Sequence, residues 1–263
     1  MKKKIRAIIK KKNKAKIVCL TAYSKSVAKI LDKYCDIILV GDSMANVLYG
    51  NDNTHKMTIQ NMIQHAISVK KAVKKSLLVV DMPKGSYTNK ILAKKNAKKI
   101  INLTKCDAIK IESNKKNFKI INELVKSNIP VMGHIGYTPQ FKKKFLIEGD
   151  TEKKTRILLK EAISIEKAGA FSIVIECVAP NASKLITSKL KIPTIGIGSS
   201  NYCDGQILVT DDMLGLSGFY PKFVKKYVSL NRVIEKAVKK YTTDVIKKKF
   251  PNKKHFFYGS RNS

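Results

Sequence analysis

Five short apolar runs in this 263-residue chain end on side chains able to do chemistry. CDIILVGDS (35–43) ends with Asp42 and Ser43, LLVVD (77–81) with Asp81, and DAIKIE (107–112) with Lys110 and Glu112. IPVMGH (129–134) ends on His134 and FSIVIE (171–176) on Glu176. Three carboxylates, with no CxxC pair and no paired histidines, point to a hard cation with oxygen ligands. Mg²⁺ is the best match, because it needs one or two carboxylates and keeps octahedral positions for water and a chelating substrate. Asp42 and Asp81 are the expected direct ligands, with Glu112 beside them or acting through a water. The competing reading makes each aspartate a cap on the helix that follows. That reading fits any one of them more easily than all three carboxylates together.

Lys110 and Glu112 stand two residues apart on one run, so both face the same side of a strand. Such a lysine can bind a substrate carboxylate as a point charge, or it can pair with Glu112. His134 lies between glycines in GHIG, which lets other groups approach closely and favours a ligand contact. Glu176 is left over once the metal is furnished, which makes it the candidate general base. Its alternative is a buried ion pair with a lysine such as Lys110. GIGSS (Gly196–Ser200) resembles the phosphate-binding turn that follows the seventh strand of many barrels, and reads equally as a tight, closely packed turn.

Groups so far apart in sequence need a scaffold that gathers strand ends. Strands are expected at Ile17–Leu20, Ile37–Val40, Leu77–Val80, Ala108–Ile111, Val131–Gly133, Ser172–Ile175 and Thr194–Ile197, with an eighth near Gln206–Val209. Amphipathic helices are expected between them. Ser24–Tyr34 has Val27, Ile30, Leu31 and Tyr34 on one stripe and Ser24 as its N-cap; Thr58–Lys75, Asn89–Leu103 and Asn117–Lys126 follow. Glu152–Ala168 stops at Gly169, Asn181–Leu190 comes next, and Lys222–Lys240 closes the regular part. Strands buried on both faces and alternating with helices imply a parallel sheet under helical cover. Seven or eight such units, with no GxGxxG after the first strand, favour an α/β fold of the (β/α)8 TIM-barrel type over a doubly wound sheet. Residues 1–263 read as a single domain. In a barrel the C-terminal strand ends meet at one mouth, so buried runs can still present their last residues to one ligand.

The net charge of +34 raises nucleic acid or an acidic membrane as partners. Only four of the 53 basic residues are arginine (Arg6, Arg156, Arg232, Arg261), although arginine is the preferred reader of phosphates and guanine edges. The lysines spread along the chain, as at Lys70, Lys71, Lys74, Lys75 and Lys94, Lys95, Lys98, Lys99, and read as solvated helix faces. No specific nucleic acid and no membrane partner are expected. No apolar run is long enough to cross a membrane, and the basic N-terminus lacks a signal-peptide core. An odd five cysteines without CxxC spacing read as free thiols of a reducing cytoplasm.

With these residues in view, the chain resembles the ketopantoate hydroxymethyltransferase (3-methyl-2-oxobutanoate hydroxymethyltransferase) family. LVGDS, DMPKGSY, IKIE, IPVMGHIGYTPQ, GAFSIVIECV, IPTIGIGSS, CDGQILVTDDMLGL and PKFVKKY stand in the family's order, from about Thr21 to Phe257. The resemblance implies a cytoplasmic enzyme of pantothenate and coenzyme A biosynthesis that assembles as a homo-oligomer, commonly a decamer. It implies transfer of the methylene of 5,10-methylenetetrahydrofolate, as a hydroxymethyl group, to 2-oxoisovalerate through a Mg²⁺-stabilised enolate. By motif, Asp42, Asp81 and Glu112 would form the Mg²⁺ site. Asp42, Ser43, Asp81, Lys110 and His134 would bind the keto acid, and Glu176 would be the proton acceptor. The chain departs from the family pattern at Ser113 and Asn114, where two glycines are usual, at Lys84, and in the shortened FKKKFLIEGD (Phe141–Asp150). Two other readings remain: a Mg²⁺-dependent barrel of the phosphoenolpyruvate mutase and isocitrate lyase type, and a basic nucleic-acid-binding protein on an inactive barrel.

Overall fold

The computed structural model describes residues 3–114, 117–142, 146–218 and 220–258. Eight strands, β1 (Ile17–Thr21), β2 (Ile37–Val40), β3 (Leu77–Asp81), β4 (Ala108–Glu112), β5 (Val131–Gly136), β6 (Ser172–Glu176), β7 (Thr194–Ile197) and β8 (Gly205–Leu208), pair in parallel in sequence order. β8 returns to pair with β1, closing a (β/α)8 barrel. In chain order the α-helices are α1 (Lys3–Lys10), α2 (Lys25–Leu31), α3 (Met44–Val47), α4 (Ile59–Lys70) and α5 (Lys90–Thr104). There follow α6 (Phe118–Lys126), α7 (Glu152–Lys167), α8 (Pro180–Lys189), α9 (Thr210–Met213) and α10 (Leu230–Ile246).

The period-two alternation of each strand divides the apolar residues into two sets. Ile38, Val40, Leu78, Val80, Ile109, Ile111, Ile173 and Ile175 face outward and pack under the helices. Ile17, Cys19, Ile37, Leu39, Leu77, Val79, Ala108, Met132 and Val174 belong to a second cluster that fills the barrel. Apolar side chains thus occupy the lower barrel, and each interior row on β3–β6 finishes at the top with an ionisable group. The helices start where caps permit: Thr58 with Asn61 forms a capping box for α4, and Asn89 and Thr151 accept backbone N–H groups of α5 and α7.

Helix α1 falls in the segment read only as a basic N-terminus. Ile5 and Ile8 are buried with the interior cluster, so α1 closes the bottom of the barrel. Its lysines and those just after it meet aspartates that precede strands: Lys4 with Asp107 at 3.8 Å, Lys11 with Asp36 at 2.5 Å and Lys12 with Asp204 at 2.7 Å. Ile5, Ile8 and Ile9 stand at i, i+3 and i+4, a short helical stripe set among the lysines that dominate the segment.

Three helical expectations need correction. The closing helix is not Lys222–Lys240 but Leu230–Ile246, and none of its residues is buried. On α2 the buried positions are Ala28 and Leu31, while Ile30 and, past the helix end, Tyr34 are exposed. Ser24 occupies the N-cap position of α2 without a side-chain capping bond. Val18 on β1 is also exposed, whereas the outward residues of β2 to β4 are covered.

Candidate active site

Strand register decides which ionisable groups meet. Asp81 on β3 lies opposite Lys110 on β4, and Lys110 Nζ pairs with Asp81 Oδ1 at 2.8 Å. Glu112 on β4 lies opposite His134 on β5, with Nδ1 3.7 Å from Glu112 Oε1. On its other side, His134 Nε2 is 3.2 Å from Glu176 Oε2. Asp42 follows Gly41 at the end of β2, and its backbone N–H donates to Asp81 Oδ2 at 3.1 Å. A Cβ at Gly41 would stand 2.9 Å from Ser43 Oγ, so a larger residue there would displace the serine hydroxyl. Ser43 Oγ shares a hydrogen bond with Tyr23 OH at 2.8 Å.

All seven residues singled out from the sequence line the same mouth or its edge. Several alternatives can now be decided. Lys110 pairs with Asp81 and not with Glu112, and Glu176 stands beside His134. The Asp42 and Asp81 side chains do not cap helices: Asp42 Oδ2 accepts from the Gln140 amide at 2.8 Å, and Asp81 Oδ2 takes the Asp42 N–H. The GIGSS turn is closely packed: a Cβ at Gly198 would meet the Phe223 ring at 2.9 Å and Cys177 Sγ at 3.0 Å. At the altered positions, Ser113 Oγ donates to Glu161 and Lys84 Nζ lies 3.2 Å from His55 Nδ1. Residues 143–145 of the shortened Phe141–Asp150 segment lie outside the described residues.

The electrostatics are those of excess buried negative charge. Burial, with Asp81 adding to it, pushes the Asp42 carboxyl up to about 7. Burial and the Asp42 charge hold Glu112 well above the usual carboxylate range. Glu176, with 18% of its side chain exposed, is pushed by burial up to about 8, Lys110 opposing. Burial alone would favour neutral Lys110, yet Asp81, Asp42 and Glu112 together raise its pKa and keep it protonated. His134 is held neutral by burial, assisted by Lys110. Glu112 Oε1 is buried and takes no hydrogen bond.

This donor set fits a hard divalent cation: oxygens from Asp42, Asp81 and Glu112, with Glu112 Oε1 buried without a hydrogen bond and Lys110 the one lysine ion-paired to the group among the described residues. Among the described residues, no three His, Cys, Asp or Glu side chains already form a ready cage. Asp81 is turned toward Lys110 and Asp42 toward Gln140.

Gln140 and Tyr87 were missed by sequence reasoning. Both sit in motifs, TPQ and KGSY, whose spacing carries no chemical signal of its own. Gln140 is 1% exposed and touches Asp42, Glu112, Met82 and Tyr87.

Comparison with known proteins bears on this geometry. The family profile described as ketopantoate hydroxymethyltransferase matches residues 2–253. The 3-methyl-2-oxobutanoate hydroxymethyltransferase of Pelagibacter ubique is 52% identical over 257 residues, covering 98% of this chain and 100% of the relative. Among solved structures, 2,3-dimethylmalate lyase, a member of the PEP mutase/isocitrate lyase superfamily, superposes with a TM-score of 0.60 at 14% identity, covering 98% of this chain and 93% of that one. A phosphonopyruvate hydrolase in complex with oxalate and Mg²⁺ gives 0.60 at 13% identity, covering 93% and 87%. At such identities these two structures share the fold alone.

Proposed function

The chain belongs to the ketopantoate hydroxymethyltransferase family and is a one-carbon transferase, and on that footing we propose that it converts 2-oxoisovalerate to ketopantoate with 5,10-methylenetetrahydrofolate as the one-carbon donor. The pathway served would be pantothenate and coenzyme A biosynthesis, in the cytoplasm. The observation that carries the proposal is the convergence of Asp42, Asp81, Lys110, Glu112, His134 and Glu176 at one barrel mouth.

Asp42, Asp81 and Glu112 would hold Mg²⁺. When bound, the cation would supply Lewis-acid stabilisation of the negative charge that the keto acid acquires on losing its C3 proton, an effect worth several kcal/mol. Lys110 would set its ammonium against the substrate carboxylate, with Ser43 and Asp42 beside it and neutral His134 donating its one N–H. Glu176 would take the C3 proton. Its carboxyl, raised to about 8, is a stronger base than a free glutamate, and it is the least enclosed of the group. The interior cluster and α1 below the site exclude water from beneath.

Assembly into a homo-oligomer, a decamer by resemblance, belongs to the same reading. It is supported by α10, which buries nothing, and by Val18, exposed on β1. Among the described residues no helix is long and apolar enough to cross a membrane.

The test is proton NMR of 2-oxoisovalerate in D₂O with protein and Mg²⁺, followed by addition of methylenetetrahydrofolate. The expected result is Mg²⁺-dependent loss of the C3 proton signal, then ketopantoate. Exchange without product would leave the enolising site and remove the folate step. Absence of exchange by folded, Mg²⁺-binding protein would overturn the proposal.

A further inference from the structure

The roles assigned so far leave Gln140 and Tyr87 unused, although both are buried over the carboxylates. The Gln140 backbone N–H donates to Glu112 Oε2 at 3.0 Å. Its side-chain amide donates to Asp42 Oδ2 at 2.8 Å and to the Met82 carbonyl at 3.0 Å. The Tyr87 hydroxyl donates to Gln140 Oε1. One residue therefore ties the carboxylate after β2 to the carboxylate that ends β4, across the intervening β3.

The sense of the amide is fixed by its partners. The Met82 carbonyl can only accept, and an ionised Asp42 can only accept, so both need the NH₂ end. Tyr87 supplies a donor to the opposite end. A reversed amide would set Oε1 against two acceptors and lose the bonds to Asp42 and Met82 together. Each carboxylate gives one oxygen to Gln140, and on Glu112 the other oxygen, Oε1, is buried without a hydrogen bond.

We propose that Gln140, oriented by Tyr87, is a positioning residue that fixes Asp42 and Glu112 for a divalent cation by engaging one oxygen of each. This rests on the metal-binding part of the proposed function. Groups that orient metal ligands through hydrogen bonds change affinity by roughly 10–100-fold.

Packing and positioning predict different outcomes for an isosteric change. Gln140→Met keeps the volume and removes the side-chain bonds, while Tyr87→Phe removes one hydroxyl. Mn²⁺ would be titrated into the full-length protein without substrate, and the free ion counted by its EPR signal. Gln140→Met is expected to weaken Mn²⁺ binding about 10-fold or more. Tyr87→Phe should weaken it several-fold, and the double variant should be no weaker than Gln140→Met alone.

Should Gln140→Met fail to fold, Tyr87→Phe carries the test, since it leaves the packing nearly intact. Affinity within twofold of the native protein in folded variants would overturn the proposal, and additive losses would overturn the link through Tyr87. A native protein that binds no Mn²⁺ would remove the metal reading itself. That failure is distinct from native binding that the variants leave unchanged.

Discussion

Replacing Asp42 with asparagine should make the metal-free protein more stable, and increasingly so as the pH rises. The Asp42 carboxyl is raised from 3.8 to about 7 by burial and by Asp81. In the unfolded chain it ionises near 3.8, so between there and about 7 the unfolded state binds fewer protons than the folded one. Stability from this group is therefore fully present below about 4, falls as the pH rises to about 7, and stays lost above that. At roughly 1.36 kcal/mol per pH unit the full loss is about 4 kcal/mol, of which over a third has gone by pH 5. Asparagine keeps an acceptor for the Gln140 amide and carries no titrating proton. The stability gap between Asp42→Asn and the native protein should thus widen by about 2–3 kcal/mol between pH 5 and pH 8, or about 5–10 °C in Tm. Parallel melting curves in EDTA across that range would measure it. Added Mg²⁺ should close the gap by stabilising the native protein alone, by about 2.7 kcal/mol at a hundredfold excess over Kd. A gap that stays constant with pH would refute the reasoning that buried, uncompensated charge dominates the site.

Glu176→Gln should retain keto-acid and Mg²⁺ binding and lose C3 proton exchange by about 10²–10⁴-fold, measured by NMR in D₂O; near-native exchange would remove Glu176 as the base. Gly136→Ala should cost more than about 2 kcal/mol in urea unfolding, because the backbone has φ +94° and the new Cβ would fall 2.1 Å from the Glu176 carbonyl. Lys12→Met should lower stability by about 1–3 kcal/mol, since it strips Asp204 of a buried partner while the Thr194 and Asn13 N–H groups still hold the carboxylate. Proton exchange by that variant, assayed below its melting temperature, should be unchanged.

The barrel was legible because β2 to β6 are apolar runs buried on both faces, which leaves little freedom in their assignment. The mouth residues followed from that, since register and parity place Asp81, Lys110, Glu112, His134 and Glu176 on the inner face. What was not legible depends on contacts rather than pattern. Helix α1 carries a short stripe, Ile5, Ile8 and Ile9, set among lysines, and the aspartates that its Lys4 and the following Lys11 and Lys12 meet lie up to 192 residues away. The exposed Ile30 and Tyr34 look like core in a helical wheel, yet the strip facing the barrel uses Ala28 and Leu31. Which partner Lys110 chooses is a question of angstroms between strands, and so is the place of Gln140 between two carboxylates.

The pairing of the first strand with the last has a consequence in time. On the ribosome β1 emerges early, but the edge that will meet β8 stays open until about 190 further residues have been made, since the Lys12–Asp204 tie alone spans 192 positions. At roughly 5–20 residues per second that wait lasts about 10–40 s. During it the nascent chain exposes an unpaired strand edge and the apolar faces of half-built layers, the features that lead to aggregation. Yield on synthesis is therefore governed by how well that interval is survived, and slower, cooler expression lengthens the wait while weakening the hydrophobic attraction that makes it hazardous.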